Sequence, residues 1–179
     1  YTMYALAMSF SGRTDSAVAL MQRARSLDPL SPGVAAELAR VLLYGDRYDA
    51  AIAASRVANS LDADFSKAHF FAGQALLAKG QPREALAEFE SARGLRDRSM
   101  GGIANAQAQL GRMDEARRIL KDMLAESKQR YVRAEFVAWV YLALGDHENA
   151  LVWLEKAYVA RSGGVPYLKV DPRWLPLRS

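Results

Sequence analysis

Small and bulky apolar residues follow one another along this chain at intervals of three and four positions. That spacing places them on one face of a helix. The pattern returns about every 34 residues, with a small residue in the same position each time: Ala5, Ala39, Gly73, Ala104 and Ala138. A second series of small residues follows in register: Ala17, Ala51, Ala85, Ala116 and Ala150. The pattern predicts five pairs of helices that approach each other closely through these small residues.

Turn residues separate the two helices of each predicted pair. Five glycines are expected to end the first helices in the left-handed conformation: Gly12, Gly45, Gly80, Gly111 and Gly145. Asp146 can cap the helix that follows it, and Pro82 suits the first turn of a helix. These turns predict short helix-turn-helix units.

One interval departs from the period. Ala85 and Ala116 are 31 residues apart, whereas the other alanines of the second series are 34 apart. We therefore expect the joint between the third and fourth units to be three residues shorter than the others. Gly101-Gly102 and Gly163-Gly164 are interpreted as joints.

The period and the small-residue positions resemble those of the tetratricopeptide repeat (TPR), and Leu27-Asp28-Pro29 is similar to the sequence that closes such a repeat. The resemblance implies an all-α fold, an α-solenoid of about five repeats in a right-handed superhelix. The expected repeats cover residues 1–31, 32–65, 66–97, 98–130 and 131–162.

Residues 163–179 follow the last expected repeat and are too apolar for a free tail. Because a terminal repeat must cover its exposed apolar face, we expect this segment to fold back as a cap onto the helices of residues 131–160. The apolar residues concerned are Val165, Tyr167, Leu168, Val170, Trp174, Leu175 and Leu177. The alternative is that Trp174 and its neighbours form a dimer or partner contact.

The end of the chain carries a second resemblance. The sequence from Trp153 to Tyr158, followed by Leu168 to Arg173, resembles the ends of TPR regions in bacterial winged-helix regulators, serine/threonine kinases and nucleotide cyclases. This implies a bacterial sensory or regulatory parent protein, in the cytoplasm or the periplasm. The chain begins at Tyr1 inside a helical pattern, which we interpret as a cut end.

In the TPR family the first helices of successive repeats line a concave groove. Ten residues on those helices are predicted to bind a partner protein or peptide: Arg40, Tyr44, Lys67, Phe70, Phe71, Gln74, Asn105, Gln109, Phe136 and Trp139. For Phe70, Phe71 and Phe136 the alternative is packing between adjacent repeats. Arg40, Gln74 and Asn105 are the preferred candidates, since we expect polar groups on that face to have no role in the core.

Composition and charge exclude several classes of site. The chain has no cysteine, and His69 is expected to be a buried, hydrogen-bonded histidine rather than a metal ligand. No catalytic motif, metal site or cofactor site is predicted. The longest apolar run, from Phe136 to Leu144, is roughly half as long as a membrane-spanning helix needs to be.

The net charge of +4 arises from 24 basic and 20 acidic residues. Basic residues between Arg112 and Arg133 alternate with acidic ones at helical spacings, so a solvated, ion-paired helix is favoured over a nucleic-acid-binding face. The predicted function is protein–protein interaction without enzymatic activity. Self-association as a homodimer is the alternative, and weak nucleic-acid binding through the basic helix is a third hypothesis.

Overall fold

The computed structural model describes residues 1–178, so Ser179 of the expected capping segment lies outside the described residues. Those residues form ten α-helices and no strand. The helices are α1 (Thr2–Phe10), α2 (Thr14–Leu27), α3 (Pro32–Tyr44), α4 (Tyr48–Leu61), α5 (Ser66–Ala78), α6 (Pro82–Ser91), α7 (Arg96–Gln109), α8 (Met113–Glu126), α9 (Ala134–Ala143) and α10 (His147–Val159). Two 3-10 helices follow, at Val165–Tyr167 and Pro172–Leu177.

The helices pack in two layers. Each helix contacts the next along the chain, and each odd-numbered helix also contacts the next odd-numbered one, so α1, α3, α5, α7 and α9 form the inner layer. The alanines of both predicted small-residue series are fully buried, from Ala5 to Ala150. The predicted all-α solenoid of helix pairs is confirmed. The small residues allow the close approach of helices that the repeat requires.

The turns within the pairs follow the prediction with one exception. Gly12, Gly80, Gly111 and Gly145 have φ between 71° and 78°. Gly45 does not, with φ of −103°, and the left-handed residue of that turn is Asp46 at φ 56°. An aspartate tolerates this conformation better than most residues. The expected left-handed conformation of Gly45 is therefore wrong, and the turn is displaced by one residue.

The predicted helix starts at Asp146 and Pro82 are confirmed. The Asp146 carboxylate accepts a hydrogen bond of 3.0 Å from the backbone amide of Asn149, and Pro82 is the first residue of α6.

The three missing residues shorten a helix rather than a joint. The connection from α6 to α7 has four residues, 92–95, as many as the connections before α3 and α5. Helix α6 itself has 10 residues, whereas α2, α4 and α8 each have 14. The expected short joint is therefore wrong. Helix α7 begins at Arg96, two residues before the expected start of the fourth repeat.

Gly101 and Gly102 lie inside α7 and are not a joint. Gly101 allows close packing against Phe136 and Trp139 of α9, and Gly102 against Phe89 of α6, which is fully buried. A methyl group added to Gly102 would lie 2.5 Å from the Phe89 ring, and one added to Gly73 of α5 would lie 2.6 Å from it. Gly73 and Gly102, on neighbouring inner helices, thus make room for the Phe89 ring. An alanine at either position would not leave that room.

The C-terminal segment, residues 163–178, turns back along the inner layer. Arg161 has a φ of 49°, and the Ser162 hydroxyl donates a hydrogen bond of 2.7 Å to Glu135 of α9. From there the segment contacts α10 and α9, as predicted, and continues to α5. It does not cover the outer side of α10, where the exposed apolar residues are Leu151, Val152, Tyr158 and Val159. The segment therefore covers the inner face of the solenoid and leaves that outer face open.

Candidate functional site

The ten residues predicted to bind a partner all belong to the inner helices α3, α5, α7 and α9. Nine of them line one of two cavities between those helices and the C-terminal segment. The tenth, Lys67, lies 3.6 Å from Glu37 of α3 and is half exposed. The inner face is thus the place where the predicted side chains meet.

The C-terminal segment occupies much of this face. The ring of Tyr167 lies 4.2 Å from the ring of Phe10 in α1 and 5.1 Å from that of Tyr44 in α3. Further along, the Arg173 guanidinium lies 5.0 Å from the Phe136 ring and 5.1 Å from the Trp139 ring. The sequence indicated that this segment packs on α9 and α10, but nothing in its apolar pattern predicted that it reaches α1.

A buried ion pair holds the segment in place. The Asp171 carboxylate is fully buried and accepts hydrogen bonds of 2.9 Å and 2.6 Å from Nε and Nη2 of Arg173. It also accepts one of 3.0 Å from the backbone amide of Arg173, which fixes the start of the second 3-10 helix. Because these bonds pair the two charges, Asp171 and Arg173 can lie buried among aromatic rings, although Nη1 of Arg173 keeps no acceptor among the described residues.

The phenylalanines of the inner face are packed rather than exposed. Phe70, Phe71 and Phe136 are each 3% exposed. The Phe70 ring lies 5.7 Å from the Phe71 ring and 5.9 Å from those of Phe89 and Phe136. The alternative given for these three residues, packing between adjacent repeats, describes their environment. Their spacing in the sequence could not distinguish the two cases.

Asn105 has a structural role that the sequence did not indicate. Its side-chain amide donates hydrogen bonds of 2.9 Å to the Gly101 carbonyl and 3.2 Å to the Trp139 carbonyl, so it connects α7 to α9. The expectation that it has no role in the core is therefore wrong.

Gln74 differs from Asn105 in having no protein partner. Its side chain is 3% exposed, and neither its Oε1 nor its Nε2 has a hydrogen-bond partner within residues 1–178. A buried amide without hydrogen-bond partners costs free energy, so we expect water or a ligand to bind such a group.

Gln74 borders a cavity of about 280 Å³, which we call the Gln74 cavity. Leu77 and Leu142 provide apolar walls, and Pro172 of the C-terminal segment forms one side. Exposed Gln109 lies at its edge. The cavity combines apolar walls with a few polar groups, which is the usual composition of a binding pocket.

The second cavity, of about 40 Å³, is lined by Arg40, Arg98, Arg133 and Arg173, and we call it the arginine cavity. Arg40 pairs with Glu37, Arg133 with Glu135 at 2.6 Å, and Arg173 with Asp171. Burial, together with the positive charges of Arg133, Arg173 and Arg40, lowers the pKa of Arg98 to about 10. Burial also raises the pKa of the neighbouring Tyr44 phenol well above its ordinary value, so that phenol stays protonated.

His69 is hydrogen-bonded, as predicted, but it is partly rather than fully buried. One ring nitrogen lies 2.7 Å from the Glu88 carboxylate and the other 2.9 Å from the Ala63 carbonyl. Within the described chain, no group of three His, Cys, Asp or Glu side chains is placed to hold a metal ion.

The helix rich in basic residues carries the predicted ion pairs. Arg117 pairs with Asp114 at 2.8 Å, and Arg118 pairs with Glu115. Arg130 pairs with Glu126 and also, at 2.6 Å, with Asp97 of α7. Among the helices of residues 1–178, none is both long and apolar enough to span a bilayer.

Comparison with known families agrees with this architecture. Models of the tetratricopeptide repeat match residues 5–64, 76–135 and 137–156, so together they cover most of the chain and all five helix pairs in whole or in part. The chain is a tetratricopeptide repeat protein. Proteins built from TPRs generally mediate protein–protein interaction and scaffolding and are typically not enzymes.

Solved structures of other TPR proteins share the fold. A TPR protein from Parabacteroides merdae matches with a TM-score of 0.66 and 17% identity, over 88% of this chain and 63% of that one. A TPR protein from Thermus thermophilus matches with a TM-score of 0.65 and 22% identity, over 99% and 95%. This chain thus spans less than two thirds of the Parabacteroides protein. A search of curated proteins gave no match.

Proposed function

We propose that this TPR protein binds an extended segment of a partner protein in its concave groove, anchored in the Gln74 cavity. The observation that carries the proposal is the Gln74 amide, which is buried at the wall of this cavity with both polar atoms unpaired. When the side chain turns into the cavity, a peptide backbone offers one N–H and one C=O to this amide. Polypeptide is therefore the class of ligand whose repeating chemistry fits the group.

The walls of the cavity support an apolar anchor on the partner. Leu77, Leu142 and Ala108 surround a volume of about 280 Å³, enough for one apolar side chain of the bound segment. Exposed Gln109 stands where a neighbouring residue of that segment would leave the cavity. Arg40, Tyr44 and Phe136 contact the C-terminal segment instead, and Phe70 and Phe71 pack among the helices, so in this arrangement these five residues act as supports rather than as contacts.

We further propose that the chain is the partner-binding half of a larger bacterial regulatory protein. Support comes from the resemblance of residues 153–158 and 168–173 to the ends of TPR regions in such regulators. Within the described residues, no group of three His, Cys, Asp or Glu side chains is placed to hold a metal ion. In this proposal, any DNA binding or phosphoryl transfer belongs to another part of the parent protein.

Selection from a random phage-displayed peptide library supplies a probe for the groove. Binding of a selected peptide is then measured by fluorescence anisotropy with Gln74→Met and with Gln22→Met, an exposed position on α2. Losing two hydrogen bonds should raise the dissociation constant about tenfold or more for Gln74→Met, and Gln22→Met should match the unchanged protein. Equal affinities for the two variants would place the peptide outside the Gln74 cavity.

Self-association is a second candidate, favoured by the outer face of α10. Leu151, Val152, Tyr158 and Val159 are exposed there, with Tyr158 and Val159 about three-quarters accessible. Isolated exposed apolar residues are normal, but several on one helix indicate a contact surface. Sedimentation velocity at increasing concentration distinguishes the cases. A dimer that Val152→Glu with Val159→Glu dissociates supports self-association, and a monomer at all concentrations removes it.

A further inference from the structure

The arginine cavity lies between the inner helices and the C-terminal segment. Arg40 comes from α3, Arg98 from α7, Arg133 from the connection before α9, and Arg173 from the C-terminal segment. We propose that this cavity binds one small monovalent anion, a halide or a small carboxylate such as formate. The proposal does not rest on peptide binding, although Arg173 borders both cavities.

The charges around the cavity do not balance. Glu37, Glu135 and Asp171 are the acidic partners of Arg40, Arg133 and Arg173 respectively. Arg98 has no acidic partner among residues 1–178. Because Arg98 is partly buried, its unpaired charge is costly, and one negative charge at this point would be favoured.

Unpaired N–H groups provide the bonds that such an anion needs. The guanidinium of Arg98 makes no hydrogen bond in the described chain, and faces only the rings of Phe70 and Phe136, at 5.8 Å and 5.9 Å. Nη1 of Arg173 and Nε of Arg40 are buried and also have no acceptor. Three guanidinium groups on three different elements thus keep free donors around one cavity, and charge-assisted hydrogen bonds are the strong ones.

The acidic side chains nearby are already engaged. Both oxygens of Glu135 accept hydrogen bonds, one from Arg133 and the other, at 2.7 Å, from Ser162. Both oxygens of Asp171 accept hydrogen bonds from Arg173. Glu37 is paired in charge with Arg40 and Lys67, although its Oε2 accepts no hydrogen bond from residues 1–178. A rearrangement that gave Arg98 one of these carboxylates would leave another arginine without an acidic partner, so the cluster would still lack one negative charge.

Volume and charge define the class of anion. A volume of about 40 Å³ exceeds the roughly 10–15 Å³ that one water requires by this measure, and it suits a halide or formate. The four arginines carry one positive charge more than their three acidic partners, and Lys67, the second partner of Glu37, is half exposed to solvent. A divalent phosphate or sulfate would overcompensate that single charge. The Tyr167 ring and the Gly163-Gly164 backbone border the cavity, which favours a free ion over a carboxylate on a bulky partner.

Thermal unfolding at constant ionic strength tests the proposal. Sodium gluconate, whose anion is too large for the cavity, is replaced stepwise by sodium chloride or sodium formate. The Tm of the unchanged protein should rise by about 2–4 °C when the anion reaches about five times its dissociation constant. Arg98→Gln should abolish the rise. Arg56→Gln, which removes an exposed arginine of α4, should retain it.

Bromide in crystals of the unchanged protein gives a direct result even if Arg98→Gln does not fold. An anomalous peak bordered by Arg98, Arg40 and Arg173 supports the proposal. Absence of that peak at molar bromide overturns the proposal. A rise of the Tm with chloride that is equal in Arg98→Gln and Arg56→Gln overturns it as well. If neither chloride nor formate raises the Tm but a bound peptide with an acidic side chain does, the negative charge comes from a partner and the free-anion proposal fails.

Discussion

At the scale of single residues, size decides how the inner and outer helices meet. Phe89 fills the space between Gly73 and Gly102, and Ala85, one turn earlier on α6, is fully buried. Interiors are packed as densely as crystals, so there is no spare volume beside Ala85 for a larger side chain.

Ala85→Leu should therefore lower the free energy of unfolding by about 1–3 kcal/mol, because the added carbons push the helix pair apart. Urea denaturation measures the change. Ala87→Leu, the same substitution at an exposed position of α6, is the matched control and should change stability by less than about 0.5 kcal/mol. Equal losses at the two positions would show that close packing at Ala85 is not the reason for its size.

His69 makes stability depend on pH. Burial alone would lower its pKa, but the Ala63 carbonyl and the Glu88 carboxylate outweigh burial and raise the pKa above the ordinary 6.5. The interaction of protonated His69 with Glu88 therefore contributes fully to the stability of the fold below the unfolded-state pKa of His69. This contribution to stability is lost as the pH rises through the raised folded-state pKa.

The free energy of unfolding should fall as the pH rises from about 6 to about 9, by more than in Glu88→Gln, where the charged partner is absent. Urea denaturation across that range measures both proteins. A stability that rises relative to Glu88→Gln over the same range would contradict the raised pKa.

At the scale of elements, the sequence predicts the helix pairs well and the C-terminal segment only in part. The pairs follow from a pattern in which Ala5, Ala39 and their equivalents recur in register. The interval from Ala85 to Ala116 shows that three residues are missing relative to the other repeats. It does not show where they are missing, since a shorter helix and a shorter joint give the same interval. The path of residues 163–178 depends on contacts with Phe10 and Tyr44, which are far away in sequence, so no local pattern reports it.

The Asp171–Arg173 pair controls whether that segment stays on the inner face. Asp171→Asn leaves a buried, uncompensated guanidinium, which costs about 3 kcal/mol or more. The segment should detach, and trypsin cleavage after Lys169 and Arg173 should become about 100-fold faster or more, because cleavage follows the detached population.

Mass spectrometry of timed digests measures that rate. Asp62→Asn, an exposed aspartate that also accepts a bond from a backbone amide, is the control. The double variant Asp171→Leu with Arg173→Met removes both charges and also the cleavage site at residue 173, so only cleavage after Lys169 is compared; it should be slower than in Asp171→Asn. An unchanged cleavage rate in Asp171→Asn would show that the ion pair does not hold the segment.

At the scale of the whole molecule, the solenoid presents an inner face that its own C-terminal segment divides into two parts. The arginine cavity lies beneath the segment, and the Gln74 cavity lies beside it. The sequence identified the inner face by resemblance to TPR proteins, and it identified Gln74 by its polarity on that face. It could not indicate which predicted residues the segment covers, since exposure within a groove depends on the whole assembly.

The most direct test of peptide binding at the Gln74 cavity is to fill the cavity from its rim. Ala78, exposed at the end of α5, borders the cavity, and Ala53 is an exposed alanine of α4 on the outer layer. The affinity of a library-selected peptide is measured for Ala78→Trp and Ala53→Trp at equal thermal stability. Ala78→Trp should weaken binding at least about tenfold, while Ala53→Trp should leave it unchanged. Undiminished binding by Ala78→Trp would contradict the placement of the partner segment in this groove.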